Sequence, residues 1–149
     1  MRPTMPDASG LATLPGRRPP REARDMAKPT PNLDDLYVVL RAWAVAKPGQ
    51  INTYTELSKQ YQTRTGDWFE PHGSWDQPLG ALNKQLHGIG APALSALVVL
   101  NKDPPEPGGG FWGCAPNVPP RPKADIQRLA DWSRIVAAVH GYAWPAALP

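Results

Sequence analysis

Pro48-Gly49-Gln50-Ile51-Asn52-Thr53-Tyr54-Thr55-Glu56-Leu57 is the stretch that organises the rest of the chain. Pro48 has no amide hydrogen and Gly49 no Cβ, so the pair ends any helix arriving from upstream. Thr53 and Glu56 then make a T-x-x-E capping box, whose threonine oxygen satisfies one of the free amides that begin a helix. A helix is expected to open here and run to about Gln62, with Tyr54, Leu57 and Tyr61 facing inward.

Upstream of Pro48, Asn32 can cap a helix and Asp34 and Asp35 suit its first turn. Leu33, Leu36, Tyr37, Leu40, Trp43 and Ala44 form its apolar stripe, and the helix is expected to stop at Lys47. Residues 1–31 hold seven of the 20 prolines, six basic groups and three acidic ones, with few large apolar side chains. Such a stretch cannot build a core and is expected to be a disordered Pro/Arg-rich leader ahead of one domain over 32–149. Met26 admits a second account, in which translation begins there, and a basic arm touching nucleic acid or acidic lipid is a third.

Downstream, residues 63–74 read as a polar and aromatic loop. Ser74 and Gln77 make a second capping box, opening a third helix in which Trp75, Leu79, Leu82 and Leu86 share one face. Gln77, Gly80, Ala81, Lys84 and His87 fall on or near the other face, and Gly88 and Gly90 end the helix. Leu94 to Leu100 reads as a buried strand. A Pro/Gly loop follows it, holding seven prolines between 104 and 122, and Phe111-Trp112 is expected to return as the partner strand of a hairpin. A last helix is expected over about Lys123–His140, with Ile126, Leu129, Trp132, Val136 and Val139 inward and Gly141 as its C-cap. The expected fold is thus α+β: three leading helices, a small β-hairpin wing and a C-terminal helix.

Composition narrows the function classes. The net charge of +3 resides in the leader, because residues 32–149 carry ten basic and ten acidic groups. A neutral body argues against tight, sequence-independent DNA binding, which relies on neutralising phosphates. The lone Cys114 suggests a reducing compartment. No apolar run reaches the roughly 18 residues of a membrane span, and the leader lacks the apolar segment of a signal peptide, so the cytoplasm is the expected location.

Two adjacent capped helices followed by a hairpin with a glycine-rich loop follow the order of a winged helix. The residues of the Pro48–Leu57 stretch resemble the segment that opens the DNA-binding domain of O6-alkylguanine-DNA alkyltransferases and alkyltransferase-like proteins, where P-x-G-x-V-x-T-Y-G-x-[IL] leads from a short strand into the helix-turn-helix. Leu79-Gly80-Ala81-Leu82 is similar to the small-residue patch of that family's recognition helix. Ser95-Ala96-Leu97-Val98-Val99 stands where the family has C-H-R-V-V, and Gly110-Phe111-Trp112-Gly113 resembles its wing segment G-Y-x-G. The resemblance spans residues 48–140 and implies a winged-helix fold that binds double-stranded DNA.

The departures remove the family's chemistry. Its cysteine takes the alkyl group with the help of a neighbouring histidine, and here those positions are Ser95 and Ala96, so alkyl transfer is not expected. The position of its intercalating arginine is Gln77, followed by Pro78, so base flipping is not expected either. What the resemblance still implies is DNA contact by Tyr54, by the third helix through Gln77, Gly80, Ala81 and Lys84, and by the wing, with Lys102 close to backbone phosphates.

Other constellations are weaker. His72, His87 and His140 lack metal-ligand spacing relative to each other and to Cys114, so neither a metal nor a cofactor is expected. Gly108-Gly109-Gly110 lacks the strand, helix and Lys-Ser/Thr context of a phosphate loop. Asp67, Glu70, His72 and Asp76 cluster before the third helix and could do acid/base work, although a solvated loop is the plainer account. No catalytic residue is therefore assigned, and the chain reads as a non-catalytic binding module. Trp68, Phe69 and Trp112 support the alternative of a protein-binding winged helix, since tryptophan is enriched at interface hot spots.

Overall fold

In the computed structural model, which describes residues 30–149, Asn32 caps α1 (Leu33–Val45), its side-chain oxygen accepting from the Asp35 amide at 3.0 Å. The leader expected over 1–31 lies, except for Thr30 and Pro31, outside the described residues. After the Pro48-Gly49 break the chain forms β1 (Asn52–Thr53), α2 (Tyr54–Thr65) and α3 (Asp76–His87). A buried 3-10 turn (Leu94–Leu97), β2 (Val98–Val99), a second 3-10 turn (Gly109–Phe111) and α4 (Asp125–Gly141) complete the order. The described residues thus make a small α+β domain with four helices and one two-stranded sheet.

Thr53 starts α2 as its sequence predicts, Oγ1 accepting from the Glu56 amide at 3.2 Å. The Glu56 carboxylate instead accepts from Gln60 one turn on, so only half of the expected box forms. The helix runs three residues past Gln62 to Thr65 and ends on Gly66, whose φ of +83° is a left-handed conformation that favours glycine. The loop to α3 is then held from inside. The buried Ser58 hydroxyl donates to the Phe69 carbonyl at 2.5 Å and accepts from the Trp75 indole at 2.9 Å. Around that pair, Tyr61, Phe69 and Trp75 pack edge to face with ring centroids 5.3–5.7 Å apart. Trp75, fully buried, occupies the N-cap position of α3 without a side-chain capping bond, so the expected Ser74–Gln77 box is absent. Tertiary anchoring of the Trp75 ring takes the place of a cap.

The second difference concerns the strand expected over Leu94–Leu100. Leu94, Ser95, Ala96 and Leu97 are all buried, and they coil into a 3-10 turn that packs against α1, α3 and α4 together. A strand shows only two faces, whereas this segment is surrounded, and a tight turn distributes its side chains among three helices. Only Val98–Val99 is extended, and it pairs in parallel with Asn52–Thr53 rather than antiparallel with Phe111-Trp112. The expected hairpin wing therefore does not form. Pro104, Pro105 and Pro107 lack ladder donors, and the returning segment is tied by Leu100 N–H to the Glu106 carbonyl and by Gly108 N–H to the Tyr54 hydroxyl. Phe111 and Trp112 are buried instead of standing on an exposed strand.

Leu36, Leu40, Leu57, Leu82, Leu86, Leu94, Leu97 and Val98 are fully buried in one hydrophobic core. Each contributes about 2 kcal/mol of apolar burial. α4 docks through Trp132, Ile135 and Val139, with the Trp132 indole donating to the Ala96 carbonyl at 2.8 Å. Ile126 and Leu129, expected inward, are exposed: the buried face of α4 lies further along the helix. The C-terminal tail returns to α1, where the Tyr37 hydroxyl donates to the Pro145 carbonyl at 2.6 Å. No helix among the described residues is long and apolar enough to cross a membrane.

Candidate nucleic-acid interface

α3 is fixed on its inner side by Leu79, Leu82, Asn83 and Leu86, all buried. The same spacing leaves Gln77, Ala81 and Lys84 in a row on its exposed side, at i, i+4 and i+7, with Gln85 and His87 beside them. This face carries no large apolar side chain. Lys84 has no carboxylate within salt-bridge distance among the described residues, in contrast to Arg64, which pairs with Asp35, and Lys102, which pairs with Glu106. Asp76 stands at the first position of the helix and Lys84 and His87 in its last turn, so positive charge is confined to the C-terminal half.

Asn83 is the residue that locks this helix to the core. It is fully buried, and its side-chain amide donates to the Ser95 hydroxyl at 2.7 Å and to the Cys114 thiol at 3.4 Å. Its oxygen accepts from the Ser95 amide at 3.3 Å, while its own carbonyl accepts from Asn117 at 3.2 Å. In the sequence Asn83, between Leu82 and Lys84, looks like part of the polar face; its place on the wheel beside Leu79 and Leu86 is the signal that it points inward.

Ser95 and Cys114, the two side chains of nucleophilic type near α3, therefore share one amide as their partner. They line a cleft with Tyr54, Asp76, Gly80 and Phe111. Its free volume is about 10 Å³, room for one water and no base ring. Burial pushes the Cys114 thiol above its ordinary range, against the weaker opposing effect of the Asn83 bond. Burial also pushes the Tyr54 phenol up, although the Gly108 amide hydrogen bond favours its ionised form. His87 and His72 are exposed on the surface, and His140 sits within hydrogen-bonding distance of the Gln50 carbonyl at 3.1 Å. Among the described residues, no group of three or more His, Cys, Asp or Glu side chains could hold a metal ion.

The residues singled out in the sequence are thus divided. Gln77, Ala81 and Lys84 come together on the exposed row. Gly80 belongs to the inner face, where an added Cβ would meet the Cys114 Cβ at 3.5 Å. Tyr54 is only 9% exposed, with its hydroxyl engaged by Gly108, so it orders the loop beside α3 rather than offering a phenol to solvent. Lys102 is held by Glu106, which also pairs with Arg128 of α4, and so belongs to the α4 side of the domain. Of the aromatic trio, Trp112 is buried and Phe69 packs into the Tyr61–Trp75 cluster. Trp68 alone stands out, at 44% exposure. The three therefore form no common surface. In the loop before α3, Glu70 accepts from the Trp68 indole at 2.9 Å and the Asp67 backbone amide donates to the Thr65 hydroxyl, while His72 is exposed.

No protein-family model matches the chain, nor does any curated protein or any solved structure.

Proposed function

We propose that this domain is a non-catalytic DNA-binding module whose α3 presents its exposed row to a groove of the duplex. The observation that carries the reading is the row itself. Gln77, Ala81 and Lys84 project from a helix whose other side is clamped by Asn83 and three leucines. Gln77 offers a hydrogen-bonding amide, Ala81 keeps the centre of the row low, and Lys84 supplies a charge with no carboxylate partner among the described residues. Gly110, exposed and packed beside Asp76, and the exposed Gly109 lie next to the start of α3.

Of the resemblance to alkyltransferase-like proteins, the start of α2 at Thr53-Tyr54 and the helix that follows it support this reading. Non-catalytic is part of the reading for a physical reason. Ser95 is buried with an amide as its partner and no base, and the cleft it lines holds no base ring. Because Asp76 repels phosphate at one end of α3, backbone contact falls to Lys84 and His87 at the other.

Fluorescence anisotropy of a labelled duplex, titrated with the full chain and with residues 27–149 at several salt concentrations, tests the proposal. Few phosphates are neutralised by a body with balanced charge, so a shallow salt slope is expected. Lys84→Ala should lower that slope by about one. Binding that requires residues 1–26 and ignores Lys84→Ala would refute it.

A further inference from the structure

The segment that follows α4 reaches across the domain to α3. Its base is firmly held. Trp144 is buried, with its indole donating to the Val139 carbonyl at 2.7 Å and its ring packed edge to face against Tyr37 and Tyr142. The Trp144 carbonyl accepts from Arg41 at 3.3 Å and the Pro145 carbonyl from Tyr37 at 2.6 Å, so this part is tied to α1. Beyond Pro145 the hold thins. Ala146 and Ala147 are exposed, and Leu148 packs half-buried on the core. The exposed Pro149 carbonyl then accepts from the Gln85 side-chain amide of α3 at 2.8 Å. Gln85 stands one turn on from Ala81 and next to Lys84, on the flank of the exposed row.

We infer that residues 146–149 are an autoinhibitory latch, whose contact with Gln85 must open before α3 can enter a groove. The inference rests on the DNA reading of α3. A helix with its side chains is about 10–12 Å across and the major groove about 12 Å wide, so the groove has no room for a second stretch of backbone beside the helix. The tip also sits at the end of α3 that carries Lys84 and His87, where phosphate contact falls, and it engages a donor that a phosphate or base edge would use.

A firm base and a weak tip are what a latch requires. Once displaced, the tip stays tethered at Trp144 and Pro145 and closes again when the duplex leaves. One hydrogen bond between exposed groups and one half-covered leucine hold it, so the inhibition is modest, about three- to tenfold in affinity.

Two variants of the full chain test this: removal of residues 147–149, and Leu148→Ser, which keeps the chain length. Both retain Trp144 and Pro145, so the anchor is intact. Without DNA, each should shift the NMR signals of the Gln85 side-chain amide and of the Lys84 backbone; α3 signals that stay in place would overturn the docking. With a labelled duplex at fixed salt, each should bind about three- to tenfold tighter than the parent by anisotropy, and Lys84→Ala should weaken parent and variants alike. Equal or weaker binding by the variants, with Lys84→Ala still weakening it, would overturn the latch alone. A duplex that binds neither parent nor variants would overturn the DNA reading and the inhibition with it.

Discussion

Replacing Asn83 with alanine probes the joint on which the presentation of α3 depends. The side chain is fully buried and makes hydrogen bonds to the Ser95 hydroxyl (2.7 Å), the Ser95 amide (3.3 Å) and the Cys114 thiol (3.4 Å). Truncation strands the Ser95 amide in a dry site, which costs about 1–3 kcal/mol. The Ser95 hydroxyl loses one accepted bond but keeps its own proton free to donate, and the thiol bond is weak, so these add less, but the small void left behind adds to the loss. The total is about 3 kcal/mol. For a domain of this size that corresponds to a fall in Tm of roughly 10 °C. Urea unfolding followed by tryptophan fluorescence, with the m-value checked for constancy, measures it. Asn83→Asp should be at least as damaging, because it loses the donors and buries a charge. A loss under about 1 kcal/mol for Asn83→Ala would show that the amide does not hold α3 in place, and the clamp argument would fail.

Three further outcomes follow from local geometry. Gly108→Ala should destabilise by about 1–3 kcal/mol, because its Cβ would stand 2.8 Å from the Tyr54 hydroxyl. Gly109→Ala, with nothing within 4 Å, should be neutral; thermal melts that rank the two equally would contradict the packing described. Burial raises the Tyr54 phenol in the folded state, so its contribution to stability is complete below the unfolded value near pH 10 and is lost as pH rises through the folded one. Stability measured from pH 9 upward should therefore fall less steeply in Tyr54→Phe than in the parent, and parallel curves would argue against it. The Cys114 thiol, raised by burial, should react with iodoacetamide at pH 8 more slowly than a free thiol and recover full reactivity in urea. Intact-mass kinetics that show fast labelling of the folded protein would mean the thiol is more open than the cleft suggests.

How much was legible in the sequence depended on whether a signal was local. Asn32 and Thr53 cap α1 and α2 as their positions suggest, because capping is settled within four residues. The Leu79, Leu82 and Leu86 face of α3 likewise follows from helical periodicity. The start of α3 did not follow, because Ser58, seventeen residues earlier in the chain, holds the Trp75 ring there. Leu94–Leu97 misled for the complementary reason: an unbroken apolar run reports that a segment is surrounded, but a strand and a 3-10 turn satisfy that equally. The partner of Val98–Val99 lies at Asn52–Thr53, and no turn chemistry near Val98 announces a parallel pairing across 46 residues. At the candidate interface, Gln77, Ala81 and Lys84 were readable from the wheel. Gly80 was not, since it sits at the edge of the polar arc and the Cys114 segment packs over it.

The most direct test of the central claim is a backbone amide NMR titration of the ¹⁵N-labelled full chain with an unlabelled duplex. The account predicts that the largest, saturable shifts fall on Gln77, Ala81, Lys84 and Gln85, with smaller ones at Gly109 and Gly110. Lys84→Ala should weaken the binding curve fitted at Gln77. Saturable shifts confined to residues 1–29 or to the Ile126–Ala137 face of α4, with α3 unmoved at saturation, would contradict it.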